Sequence, residues 1–241
     1  MKKLHLYFSL FILLGILFSC DKDTCVHGEG PVVTKELDLA VFSSVDLKGS
    51  INIILTQGTE QKVLAKGQEN IISYLSTEVK EGNWTIILED GCYNDYELTI
   101  EVITPSLEEF GISGTGNIQL SDNFTDIENI NVFNSGNGHI FGNDSLFISD
   151  FLFVTISGSG NISLNGITLN QNISLSGSGS YMSFGLLSEN CVVSLPGSGN
   201  CEVNVNSNLD IFIGGSGSVY YTGSPAITST ITGSGEIING N

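Results

Sequence analysis

The sequence predicts an all-β protein, with an N-terminal strand-rich region continuing into a right-handed parallel β-helix (solenoid) of about seven coils. Three observations carry that prediction. A Gly-x-Gly motif recurs with its first glycines at 114, 136, 158, 177, 197, 215 and 233, so that successive steps are 22, 22, 19, 20, 18 and 18 residues. A near-constant step of this size is the mark of stacked coils. Apolar residues then fall at even offsets from each first glycine. Four before it stand Phe110, Val132, Val154, Ile173, Val193, Ile211 and Ser229; two before it stand Ile112, Asn134, Ile156, Leu175, Leu195, Ile213 and Ile231; four after it stand Ile118, Ile140, Ile162, Tyr181, Cys201, Val219 and Ile237. Even spacing places them on one strand face, pointing inward. Finally, only Glu69 to Ser76 has apolar spacing that suits a helix.

Residues 1–19 read as a signal peptide, with Lys2 and Lys3 before an apolar run from Leu4 to Phe18 that is too short for a comfortable membrane span. Leu17-Phe18-Ser19-Cys20 closes it and resembles a bacterial lipobox, which implies cleavage before Cys20 and lipid attachment there. The expected location is the cell envelope, with the protein lipid-anchored to the outer membrane on its periplasmic or surface face. Residues 20–35 are polar, broken by Gly28, Gly30 and Pro31, and read as a tether.

The region 36–108 alternates in strand fashion. Leu37, Leu39 and Val41, then Val45 and Leu47, then Ile51, Ile53 and Leu55 are spaced by two, with further runs at Lys62 to Ala65, Val79, Trp84 to Leu88 and Tyr96 to Ile103. From 109 to 241 each coil is a strand, a Gly-x-Gly corner, a second strand and a variable return. The corner glycines are Gly114 and Gly116, Gly136 and Gly138, Gly158 and Gly160, Gly177 and Gly179, Gly197 and Gly199, Gly215 and Gly217, and Gly233 and Gly235. Two reasons favour glycine there: tolerance of positive φ in a sharp turn, and the lack of room for a Cβ between corners stacked about 4.8 Å apart. Asn117, Asn161 and Asn200 occupy one corner position and are expected to hydrogen-bond from coil to coil as a discontinuous ladder.

The corners are preceded by FSSVDLKGSINIILTQGTEQKVLAKG (42–67) and YLSTEVKEGNWTIIL (74–88). With these segments, the chain from about Glu36 to Asn241 resembles the auto-transporter adhesin head (GIN) domain family. The resemblance implies a β-helical envelope protein with an adhesive role and supplies no catalytic residues. One departure is His139, which stands where Asn117, Asn161, Ser180, Asn200 and Ser218 occupy the same corner position in other coils.

Charge and composition narrow the function. The mature chain keeps six lysines, no arginine and 26 acids, a formal charge of −20, and no Lys or Arg follows Lys80. Such a surface repels phosphates, which makes nucleic acid, anionic lipid headgroups and phosphorylated substrates poor partner candidates, and no nucleic-acid partner is expected. A catalytic triad cannot be assembled from His27 and His139, and the lack of basic residues argues against a polysaccharide lyase or hydrolase. Calcium-binding repeats need an aspartate where Gly215-Ser216-Gly217-Ser218 continues with Val219-Tyr220, so neither a metal nor another cofactor is expected. The expected function is therefore a non-catalytic, adhesin-like head that binds a glycan, matrix or protein partner. A structural or assembly module of the envelope is the alternative, and a β-helix enzyme the third reading. Little chain follows Gly235, so the final rung is expected to favour association, including homo-oligomers.

Two further sets of residues are candidates for specific roles. Trp84, Tyr93 and Tyr96 are candidate ligand contacts because aromatic rings stack on sugars, although packing in the sheet is the commoner use of such rings. Cys25, Cys92, Cys191 and Cys201 lie in a compartment where disulfides persist, and Cys191–Cys201 and Cys25–Cys92 are the pairings to test.

Overall fold

A computed structural model of the protein describes residues 25–89 and 91–241. The signal peptide (1–19) and the lipidation residue Cys20 lie outside the described residues. In chain order the elements are β1 (Val26–His27), β2 (Val32–Leu37), β3 (Ser44–Leu47), β4 (Asn52–Gln57), β5 (Lys62–Gln68), the helical turn α1 (Glu69–Ile72), β6 (Val79–Lys80), β7 (Asn83–Ile86), β8 (Tyr93–Asn94) and β9 (Leu98–Thr104). There follow β10 (Glu109–Ile112), β11 (Ile118–Leu120), β12 (Phe124–Asn134), β13 (Ile140–Ile156), β14 (Ile162–Leu175), β15 (Tyr181–Leu195), β16 (Cys201–Ile213), β17 (Val219–Gly223), β18 (Ala226–Ile231) and β19 (Ile237–Asn239). The architecture is a β-solenoid of about six turns, in line with the about seven expected.

Parallel pairing runs through the coils. Ile118 lies opposite Ile140, which lies opposite Ile162, then Tyr181, Cys201, Val219 and Ile237. Side chains in this column from Ile118 to Val219 are fully buried. Burying each Ile or Val side chain is worth roughly 1.5–3 kcal/mol, so this column and its companion from Phe110 through Val132, Val154, Ile173, Val193 and Ile211 hold the stack together.

Strands β2 to β7 and β9 of the N-terminal region belong to the same sheet, while β1 and β8 pair with each other as a separate two-stranded sheet. β3 and β4 stack directly on β10 and β11, aligning Val45 with Phe110 and Ile53 with Ile118. β7 and β9 lie on the other side of β3 and β4, also in parallel register, so Trp84 faces Val45 and Ile100 faces Ile53. Antiparallel pairs then end the stack, with β5 between β2 and β9 and β6 on β7. This sharp change to antiparallel neighbours turns an open solenoid end into a cap.

Several expectations are corrected. The tether is shorter than 20–35, because β1 and most of β2 already belong to the fold. Strand β2 ends at Leu37, and Val41 is 83% exposed instead of facing the core. The helix expected to Ser76 stops at Ile72, and i→i−3 bonds from Tyr74 to Ile71 and from Leu75 to Ile72 tighten the following turn. Tryptophan 84 is fully buried in the core column that aligns it with Val45, and its indole N–H donates to the Ser76 carbonyl at 3.0 Å. It is therefore a packing residue and not a ligand contact. Cys191 and Cys201 are both buried free thiols, and the Cys191–Cys201 disulfide does not form. Cys191 is opposite Leu209 in the strand leading to the corner, while Cys201 is opposite Tyr181 in the strand after it, so each fills its own core column. The disulfide is Cys25–Cys92, which fastens the start of the described chain beside β8.

Candidate binding surface

The surface is positioned by two polar ladders, one at the Gly-x-Gly corner and one within the long strands that follow it. At the Gly-x-Gly corner, the residue after the second glycine accepts the main-chain N–H of its counterpart in the next coil. Asn117 Oδ1 accepts from His139 N, His139 Nδ1 from Asn161 N, Asn161 Oδ1 from Ser180 N, Ser180 Oγ from Asn200 N, Asn200 Oδ1 from Ser218 N, and Ser218 Oγ from Glu236 N. The expected asparagine ladder is thus continuous, because serine and histidine serve as acceptors in the intervening coils. His139 does so as the tautomer whose Nδ1 carries no proton.

The corner glycines are needed for close approach and not for positive φ. The described glycines with positive φ are Gly30, Gly82, Gly166 and Gly223, none of them in a Gly-x-Gly corner. A Cβ on Gly138 would lie 1.7 Å from the Gly116 carbonyl oxygen, and one on Gly160 would lie 1.8 Å from that of Gly138. Asn134 sits fully buried in a column otherwise held by Ile and Leu. Its Nδ2 donates to the Gly138 carbonyl at 2.8 Å and its Oδ1 accepts from Gly136 N at 3.2 Å, fixing its own corner from inside.

The second ladder lies in the return part of each coil, where the strand register shifts between Ile148 and Phe151 and between Ser188 and Asn190, and it was not anticipated from the sequence. Asn170 Nδ2 donates to Asp150 Oδ1 at 3.0 Å, Asn190 Nδ2 to Asn170 Oδ1 at 3.1 Å, and Asn208 Nδ2 to Asn190 Oδ1 at 2.8 Å. Positions 150, 170, 190 and 208 follow the coil step, which was the signal available.

Beside this second ladder the return strands expose an apolar shelf. Phe147 is opposite Ile167, and Ile167 is opposite Leu187, so the three form one row across adjacent coils. With Leu169 they are 38–51% exposed. An open groove of about 940 Å³ runs over Phe147, Ile167 and Leu169 and is bordered by Asp126, Glu128 and Asp150. A second depression of about 250 Å³ shares Ile167 and Leu169 and extends to Leu187 and Glu189. Glu189 accepts from Ser207 Oγ at 2.6 Å and from Asn206 Nδ2 at 3.0 Å, and these bonds hold its carboxyl below the usual range.

The tyrosines lie elsewhere, on the cap. Tyr93 packs edge-on against Tyr74 at 5.6 Å and Tyr96 at 6.2 Å between centroids. Tyr93 and Tyr96 are half-buried and line a hollow of about 240 Å³ with Glu89, while Tyr93 O–H donates to the Glu89 carbonyl and Tyr96 Oη lies 3.2 Å from Ser50 Oγ. The structure brings Tyr93 and Tyr96 together and separates them from the shelf. Among the described residues, no group of three or more His, Cys, Asp or Glu side chains is arranged to hold a metal ion. No helix among them is long and apolar enough to cross a membrane.

A capped parallel solenoid with an exposed apolar row on a rigid flank is the class of scaffold that presents a broad surface. The chain belongs to the family described as "Putative auto-transporter adhesin, head GIN domain", whose model matches residues 41–225. Similar folds are seen in a "putative adhesin" from Bacteroides fragilis NCTC 9343, at TM-score 0.80 and 22% identity, covering 89% of this chain and 99% of that one. A "putative adhesin" from Parabacteroides merdae ATCC 43184 gives TM-score 0.69 and 19% identity, with 90% and 99% covered. A "Putative lipid binding protein" from Parabacteroides distasonis ATCC 8503 gives 0.66 and 21%, again with 90% and 99% covered. No curated protein matches the chain.

Proposed function

We propose that the protein is a non-catalytic, adhesin-like head, held at the cell envelope by lipid on Cys20, that binds a macromolecular partner through the return flank of its solenoid. The observation that carries this reading is the exposed row of Phe147, Ile167 and Leu187. Leucine, isoleucine and phenylalanine side chains normally gain by leaving water, and contiguous apolar patches on soluble domains mark interaction surfaces. Here the row is kept in register by the parallel ladder beneath it and by the asparagine ladder beside it, so little conformational entropy is left to lose on binding. Membership of an adhesin-head family supports the reading. The partner is a glycan, a matrix component or a protein. The description of one similar structure as a "Putative lipid binding protein" adds a lipid to the classes to be tested.

The test is binding of the mature chain to arrays of glycans, matrix proteins and envelope proteins, beside the doubly substituted Ile167→Glu/Leu187→Glu protein. Both positions are exposed, so the fold is expected to survive, as circular dichroism would check. At least a tenfold loss of binding is expected. Binding that both proteins share equally would overturn the flank as the site. Anchoring is tested separately: metabolic labelling with a tagged fatty acid is expected to mark the wild-type protein and not Cys20→Ala, and a wild-type protein that takes up no label would refute the lipid.

A further inference from the structure

We infer that the element that seats on the shelf is a basic amphipathic helix of a protein partner, lying along the solenoid axis; this rests on the flank reading above. Spacing is the first argument. Phe147, Ile167 and Leu187 are register partners on successive coils, so they recur every ~4.8 Å. The apolar face of a helix recurs about every 5.4 Å along its axis, which accumulates only ~1 Å of mismatch across three rungs. An extended strand laid the same way presents side chains on one face every ~6.7 Å and is out of step by ~4 Å over the same distance.

Charge is the second argument. The shelf is bordered by Asp126 and Glu128 at one end, Asp150 along the second ladder and Glu189 at the other end. No lysine or arginine occurs between residues 81 and 241 to neutralise them. Bonds from Ser207 and Asn206 hold the Glu189 carboxylate in place at the rim. A helix with leucine-like residues on one face and lysine or arginine on either side satisfies both the row and its border. A second copy of the chain is a poor occupant, since it brings the same net negative charge, −18 over the full sequence. The border likewise repels anionic lipid headgroups.

The experiment titrates the mature chain into a fluorescent leucine–lysine amphipathic peptide of about 14 residues, read by anisotropy. Comparison peptides carry the same composition in shuffled order or glutamate in place of lysine. Saturable binding is expected, at least tenfold tighter than for either comparison peptide. It should weaken at least tenfold in Ile167→Gln/Leu187→Gln, and also in Glu128→Gln/Glu189→Gln. Absence of saturable binding overturns the inference, as does binding that ignores the flank substitutions. Equal binding of the glutamate peptide, or of a dodecyl chain without charge, shows a purely apolar or acyl site and also overturns it. If the peptide fails while binding to an array partner is lost in Ile167→Glu/Leu187→Glu, only the helix inference falls. If neither responds to the flank, both fall.

Discussion

From Glu109 onward each coil stacks on the one before it in chain order, whereas between Ser44 and Thr104 the chain fills its positions out of order. β7 and β9 lie beyond β3 and β4, which in turn touch β10 and β11. The two regions solve the same problem differently. In the coils, each rung offers its free edge to an almost identical successor, so repetition alone satisfies the main chain. At the cap there is no further rung, and the chain doubles back with antiparallel β2, β5 and β6, a helical turn and a disulfide. Charge divides in the same way: Lys35, Lys48, Lys62, Lys66 and Lys80 all belong to the cap side, and the coils carry none.

If the cap depends on unique residues and the coils on repetition, the largest single loss should come from the cap's largest core side chain. Trp84→Ala removes a fully buried indole together with its bond to the Ser76 carbonyl. A loss of about 3–5 kcal/mol is expected from chemical denaturation. A loss below about 1 kcal/mol would mean that the cap is peripheral to the stability of the stack.

The second prediction sets one corner against another. In Gly138→Ala the new methyl would meet the Gly116 carbonyl oxygen at 1.7 Å, which is backbone and cannot step aside. In Gly49→Ala, at the cap-side corner, the nearest atom is the Ile51 Cδ1 at 3.3 Å, the end of a side chain. The first substitution is expected to cost about 3 kcal/mol or more and the second under about 1 kcal/mol. Equal costs would show that corner glycines are required for some reason other than close approach.

How much of this could be read from the sequence follows the same division. The coils were legible because the inward positions repeat: Ile118, Ile140 and Ile162 announce one column directly. Trp84 was not, although Asn83-Trp84-Thr85-Ile86 aligns with Ser44-Val45-Asp46-Leu47 when one knows that the two strands pair. Nothing local says which strand a given strand will pair with when chain order and stack order differ. The glycines were located correctly in the chain, but their conformation was not, because glycine serves both positive φ and close approach and sequence does not distinguish them. The shelf was hidden for a related reason. Alternation is read relative to a face, and the register shift near Asp150 and Asn190 resets the count, so Phe147, Ile167 and Leu187 look no different from core residues.

Alkali tests the two regions by their cysteines. In the coils, burial pushes the thiols of Cys191 and Cys201 well up, whereas Cys25 and Cys92 in the cap are bonded and do not titrate. In the unfolded chain a thiol ionises near pH 8.5, while in the folded one it stays protonated. The unfolded state therefore binds fewer protons above that pH, so stability is fully present below about pH 8.5 and falls as pH rises further. At pH 10 the loss is about 2 kcal/mol per thiol. Cys191→Ala/Cys201→Ala will be less stable at pH 7 because of the cavities, yet its stability should fall less between pH 8 and 10. An unchanged slope would place the alkaline sensitivity elsewhere.

The smallest expected effects concern the corner ladder, and they ask whether the coils need a particular side chain or only an acceptor. Asn161 Oδ1 accepts from Ser180 N, and His139 Nδ1 from Asn161 N. Asn161→Ala leaves one main-chain N–H to water at the corner, a loss of about 1 kcal/mol. His139→Asn keeps an acceptor of the kind used at positions 117, 161 and 200 and should change stability by less than about 0.5 kcal/mol. His139→Leu should match Asn161→Ala, since leucine cannot accept. The three together decide the matter: if asparagine and leucine at position 139 cost the same, the ladder accompanies the stacking without stabilising it, and close approach at the glycines and burial in the inner columns hold the coils unaided.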